Sequence, residues 1–177
     1  MIEYTKSTAL FSPDRVYRLV LTRWWDERKA PLVVCGLNPS TADAEEDDPT
    51  IGREVDFAFR WGYGGFVKVN AFAFRATDPK RMMRAFDPIG RGNDEAIRAA
   101  AADRDVLCAW GVDGGYMGRD AAVFEILLGC ARSIFCLGLT KGGHPKHPLY
   151  LKKTLVPQAY SGPPGFTLNR KREAATV

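Results

Sequence analysis

The residues best placed to do chemistry are two asparagines and two histidines. Asn38 and Asn70 each close an apolar run, and the chain's only histidines, His144 and His147, each precede a proline shortly after the last such run. An asparagine amide orients a water through its oxygen, although it cannot take a proton as a carboxylate can. It also offers a donor and an acceptor side by side, which suits the reading of a polar ligand edge. An imidazole can donate to an oxygen on which negative charge develops. Each residue also has a purely structural role to play against this one. Asn38 before Pro39 can simply form an Asx turn, Asn70 can end its strand, and His147 can be a loop histidine held by prolines. Their common position at strand ends is what recommends them as a single site.

That position follows from the runs themselves. Leu32-Val33-Val34-Cys35 is apolar without polar alternation, the pattern of a strand covered on both faces. Gly36 then permits close backbone approach, and Pro39 keeps Asn38 out of the right-handed helical region, so the chain turns there. Residues 66–73, 105–110 and 133–139 read as three more buried strands, the second of them leaving through the glycines at 111, 114, 115 and 118. Helical patterns over 50–61, 80–86, 93–103 and 119–131 separate them. Strands alternating with helices predict an α/β fold in three αβα layers, with a central, mainly parallel four-stranded sheet. Residues 16–24 are rich in strand formers and are expected to add an N-terminal edge strand beside 32–37. In such a sheet every parallel strand ends on the same side, where ligands collect. Asp48 before Pro49 is a helix-start signal, as is Asn93 or Asp94 further on.

One domain accounts for residues 1–177, with 1–14 an irregular lead-in and 158–177 an irregular tail. The 177 residues are 46% hydrophobic and 26% charged, enough for a full core. No apolar run is long enough to cross a bilayer and no signal-peptide pattern precedes residue 20, so a cytoplasmic protein is expected. The net charge of +4 permits a polyanionic partner without requiring one. Cys35, Cys108, Cys130 and Cys136 form no Cys-x-x-Cys pair and read as core residues. The acidic residues Asp43, Glu45, Glu46, Asp47 and Asp48 read as a solvated loop ending in a helix cap, in preference to a magnesium site. Neither metal nor cofactor is expected.

The chain resembles the family called domain of unknown function 1643. The resemblance is carried by Leu37-Asn38-Pro39-Ser40-Thr41-Ala42-Asp43, Asp48-Pro49-Thr50, Trp61-Gly62-Tyr63-Gly64, Asn70 through Pro79, Pro88-Ile89-Gly90, Asn93-Asp94 and His147-Pro148-Leu149-Tyr150. The family name implies no activity. The order of motifs is also similar to the uracil-DNA glycosylase superfamily, in particular its mismatch-specific branch. There Gly36-Leu37-Asn38-Pro39 resembles the first motif, Val69-Asn70 with Arg75 the second, and His147-Pro148, or alternatively His144-Pro145, the last. Leu149 stands where a serine usually follows His-Pro, and no aspartate occupies the Asn38 position.

This second resemblance implies a uracil-DNA glycosylase-like fold that hydrolyses the N-glycosidic bond of a damaged, mismatched or modified base in DNA. Asn38 and His147 would be catalytic, one positioning water and the other stabilising the departing base. Gly36, Leu37, Pro39, Ser40, Asn70, Arg75 and His144 would surround the substrate, with Asn70 reading the flipped base. Lys141 and Lys146, beside Gly142-Gly143, are expected to hold DNA phosphates. The alternatives are a hydrolase of free nucleosides or nucleotides, or a non-catalytic nucleotide or nucleic-acid binding module.

Overall fold

The apolar run after Ala30 becomes the central strand β3 (Pro31–Gly36), every residue of which is buried. The computed structural model describes residues 2–40 and 47–167. Thr41, Ala42, Asp43, Glu45 and Glu46 therefore lie outside the described residues, as does the tail from Leu168 onward. Strands β4 (Gly65–Asn70), β5 (Asp105–Cys108) and β6 (Ser133–Cys136) form from the other three apolar runs, but β6 is only half-buried before Cys136. β3 pairs in parallel with β4 on one side and β5 on the other, and β5 pairs in parallel with β6.

The sheet is larger and more mixed than the sequence suggests. It has seven strands in the order β1-β2-β4-β3-β5-β6-β7. β2 (Arg18–Trp24) pairs antiparallel with β4, not with β3, and is itself covered by β1 (Lys6–Phe11). The expected irregular lead-in is thus an edge strand. Three of its six residues in a row, Lys6 to Thr8, are exposed, so it needs no apolar pattern. At the other edge β7 (Gln158–Ala159) pairs antiparallel with β6, within the expected irregular tail. It delivers Tyr160 into the core, where the ring meets Trp110 and Phe124 edge-on.

Side-chain alternation divides the core into two layers. Leu32, Val34, Phe66 and Leu107 face α1 (Pro49–Arg60), whose Ile51, Val55 and Ala58 pack on them. Val33, Cys35, Val69, Val106, Cys108 and Cys136 face the opposite layer, where α3 (Asn93–Ala101) contributes Ile97 and α4 (Arg119–Leu128) contributes Val123 and Leu127. The short α2 (Pro79–Met83) adds Met82 to this second layer. Asp48 caps α1 by accepting from Ile51 N at 2.8 Å, as Asp48-Pro49 predicts. Neither Asn93 nor Asp94 caps α3. Gly92 occupies the cap at φ 80°, and Asn93 is turned inward instead. Among the described residues no helix is long and apolar enough to cross a membrane.

The Tyr160 hydroxyl is buried without a hydrogen-bond partner among the described residues. Removing only that oxygen should therefore cost little, whereas removing the ring opens a cavity. Urea denaturation should find Tyr160→Phe as stable as the parent or more so, and Tyr160→Ala less stable by about 3 kcal/mol.

Candidate functional site

The chain passes from β3 outward to β4 and then crosses back over β3 to reach β5. The direction of winding thus reverses between β3 and β5, the point at which open α/β sheets leave a crevice. A cleft of about 380 Å³ opens there. Its lining includes Leu37, Asn38 and Ser40 beyond β3, Lys68 and Asn70 of β4, Trp110 to Asp113 beyond β5, Arg18 at the start of β2, Asp48 at the head of α1, and His147. A larger and more open groove of about 1380 Å³ lies between α1 and the N-terminal residues, lined by Tyr4, Trp25 and Phe59 among others. None of the residues that close the parallel strands reaches it.

Backbone hydrogen bonds carry the β3–β4 pairing past the ends of both strands. Ala71 N donates to Gly36 O, Phe72 N to Leu37 O and Ala76 N to Pro39 O, at 2.8–2.9 Å. Asn38 closes this zipper with its side chain, donating from Nδ2 to Ala76 O at 2.7 Å and to Pro39 O at 3.1 Å. Both partners are carbonyls, so the nitrogen is committed and the oxygen is the end left to accept from a ligand or water. Asn38 is therefore both a turn former and a cleft residue.

Asn70 is held differently. Its backbone carbonyl and that of Ala71 both accept from Asn93 Nδ2 at 3.1 Å, and Ala71 O also accepts from Arg119 Nε at 2.7 Å. The main chain is thus pinned from the α3–α4 layer, while the side chain lines the cleft. That side chain is only 1% exposed, and neither Oδ1 nor Nδ2 has a hydrogen-bond partner among the described residues. A buried amide left unsatisfied costs about 1–3 kcal/mol, a cost that a suitable ligand removes. Trp110, beyond β5, supplies a buried aromatic wall whose Nε1 is likewise unpartnered among the described residues.

Lys68 lies two residues before Asn70 on the same sheet face. It is 5% exposed, and its Nζ donates to Glu54 Oε1 at 2.6 Å. Glu54 is fully buried on α1; burial pushes its carboxyl up, and the Lys68 charge opposes that. Gly36 makes room for both polar side chains of β4. A β-carbon there would fall 2.5 Å from Lys68 Nζ and 2.9 Å from Asn70 Oδ1. Arg18 is also buried, and desolvation draws its pKa down to about 10, against the pull of Asp48.

His147 stands exposed at the rim, yet it is crowded enough that desolvation, followed by the Lys68 charge, draws its pKa down to about 4. Asp48 opposes that shift. Its Nδ1 accepts from Leu149 N at 3.4 Å, which puts the proton of the neutral ring on Nε2. Ser40 donates to the carboxylate of Asp48, so the residues on either side of 41–46 are tied together.

The other expected site residues stand elsewhere. His144 Nδ1 lies 3.3 Å from Asp120 Oδ2, packed beneath Gly115, and does not line the cleft. Arg75 sends Nη1 to Arg15 O and lies over the Phe11 ring, and it does not line the cleft. Lys141 and Lys146 are exposed and outside the lining. Of the acidic run, Asp47 pairs with Arg23 and accepts from Tyr4 Oη, and Asp48 caps α1. The sequence reading missed Lys68, Glu54, Arg18 and Trp110. Lys68 had a signal, a lone charge inside the apolar run 66–69. So did Glu54, which falls on the apolar stripe of Ile51, Val55 and Ala58.

A family model described as "Protein of unknown function (DUF1643)" matches residues 18–149. The chain belongs to that family. No curated protein and no solved structure matches it. The DUF1643 match reaches from Arg18 to Leu149 and so spans every cleft residue named above, while β1 and β7 fall outside it.

Proton NMR should find His147 titrating at about 4, and Lys68→Met should raise that midpoint by removing a nearby positive charge. An unfolded histidine takes up its proton near 6.5, so this group's contribution to stability is complete above that pH and is lost as pH falls through about 4. Gly36→Ala should lower the unfolding free energy by about 1–3 kcal/mol, because Lys68 and Asn70 cannot both keep their places.

Proposed function

We propose that the cleft binds a nucleobase and that the protein hydrolyses the N-glycosidic bond attached to it, with a damaged, mismatched or modified base flipped out of DNA as substrate. The observation that carries this reading is the Asn70 amide, buried with its donor and its acceptor both unspent, beside Trp110 at the winding reversal of the sheet. An amide so placed matches the donor–acceptor edge of a base, and an indole is a surface on which a base stacks. The uracil-DNA glycosylase-like arrangement that the motifs imply is supported by the same layout, in which parallel strands deliver Asn38, Asn70 and the segment after Trp110 to one cleft.

The chain's residues divide the work as follows. As the bond between the sugar and the base nitrogen lengthens, its electron pair moves onto the base and negative charge grows on a base oxygen. The neutral His147 ring donates from Nε2 to that oxygen. Asn38 Oδ1 accepts from a water and aligns it with the anomeric carbon, where positive charge has built up. Asn38 cannot take the water's proton, which passes to the departing base or to solvent. This division suits a leaving group that departs readily.

One observation favours a second reading, hydrolysis of free nucleosides or nucleotides. Lys141 and Lys146 do not line the cleft, so the expected phosphate contacts are not part of it.

Single-turnover assays on oligonucleotides carrying a panel of modified bases, followed by alkaline cleavage of abasic sites, should reveal a substrate. Asn38→Ala and His147→Ala should each lower its rate by about 10²–10³ while DNA binding persists. Lys141→Ala with Lys146→Ala should flatten the salt dependence of DNA binding and leave nucleoside binding unchanged. Base release from nucleosides but from no oligonucleotide would establish the second reading.

A further inference from the structure

The proposed chemistry leaves one charged group of the cleft without a task. Lys68 has three N–H donors, one of which is given to Glu54. The other two have no hydrogen-bond partner among the described residues, and the side chain lines the cleft beside Asn70. Glu54 does not line it. The carboxylate sits behind the ammonium, anchoring it from the α1 side, so a ligand meets the cation and not its counterion. Gly36 completes the arrangement, since any side chain there would strike Nζ.

Keeping a lysine in the middle of a buried strand is costly, and an apolar residue there would pack against Leu21 and Val34 at the same register. A surface charge that merely improved solubility would not be placed at this depth. The floor formed by Lys68 and Asn70 presents an ammonium next to an amide whose donor and acceptor are both available. Such a floor fits a heterocycle with an acceptor–donor edge flanked by an oxygen bearing negative charge.

We infer that Lys68 is the specificity residue of the cleft, selecting a base that carries negative charge, of the class of ionised oxidised or deaminated oxo-bases, over a neutral base of the same shape. The inference rests on the reading of the cleft as a nucleobase site. Glu54 and Gly36 are positioning residues, one orienting the ammonium and the other giving it space. Arg18, Asp48, Asp113 and His147 are the remaining charged or titratable groups of the lining. Asp48 is engaged by Ile51 N and Ser40, and Lys68 is the charged group that shares the β4 floor with Asn70.

The test is calorimetric binding of free bases at a pH where the charged member of each pair is ionised. Xanthine against hypoxanthine makes the purine pair, and barbiturate against uracil the pyrimidine pair. The wild type should prefer the charged member in at least one pair. Lys68→Met should weaken that member's binding by about 10–100-fold, the range for a lost hydrogen bond to a charged group, and weaken the neutral member's binding by much less. Lys68→Met combined with Glu54→Gln avoids stranding a buried carboxylate. It should behave alike, with thermal unfolding checking that each variant is folded. Equal binding of both members by the wild type, or equal loss of both in the variants, overturns the role of Lys68 and leaves the nucleobase reading standing. Binding of no base at all overturns both.

Discussion

The Glu54–Lys68 ion pair is the constraint from which much of the molecule follows. Moving two charges out of water costs several kcal/mol per ion, and only close, well-oriented pairing recovers it. Lys68 is fixed by the register of β4 between β2 and β3, so Glu54 has to be brought to it. That fixes where α1 crosses the sheet. The crossing in turn rests on the Asp48 cap and on the apolar stripe of Ile51, Val55 and Ala58 that surrounds Glu54. It also dictates Gly36 on the neighbouring strand, where even a methyl group would collide with the ammonium.

Rigidity at the strand ends comes from a second source. Loops beyond a sheet usually lose the ladder that holds the strands, but here pairing persists from Gly36–Ala71 as far as Pro39–Ala76. Asn93 and Arg119 grip the turn after Asn70 from the opposite layer. The extended pairing and the α3–α4 layer therefore act on the same few residues. A polar side chain left unpartnered on so firmly held a backbone cannot swing away to find water, and its position is set before a ligand arrives.

What was legible in the sequence was what local pattern controls. Continuous apolar runs marked β3 to β6, because strands covered by helices on both faces of a sheet have no solvent side to make polar. Asp48-Pro49 marked the start of α1, because cap chemistry is local. Asn38, Asn70 and His147 were found as strand-end residues, and the structure brings all three to one cleft. Edge strands were not legible. β1 is largely exposed and β7 has two residues, so neither carries a hydrophobic signature. The Lys68–Glu54 pair was missed because it joins residues 14 apart through the docking of a helix on a sheet. Asn93 and Asp94 were equally good cap candidates, and the need to hold two carbonyls at the end of β4 drew Asn93 inward instead. His144 and His147 have the same local setting, and only the path of the last loop separates them.

The buried thiols have a consequence of their own. Cys35, Cys108 and Cys136 sit on three successive strands in one layer of the core, with Cys35 and Cys108 in direct register. Burial pushes the Cys35 thiol up to about 12 and the Cys108 thiol well above its usual range, so in the closed protein they are protonated and out of reach of solutes. Cys130, half-buried at the end of α4 with its Sγ donating to Ile126 O, is the more accessible one. The molecule therefore carries its own clock for opening events. A thiol reagent modifies Cys130 on local fraying of one helix end, but marks the other three only when the parallel strands themselves part.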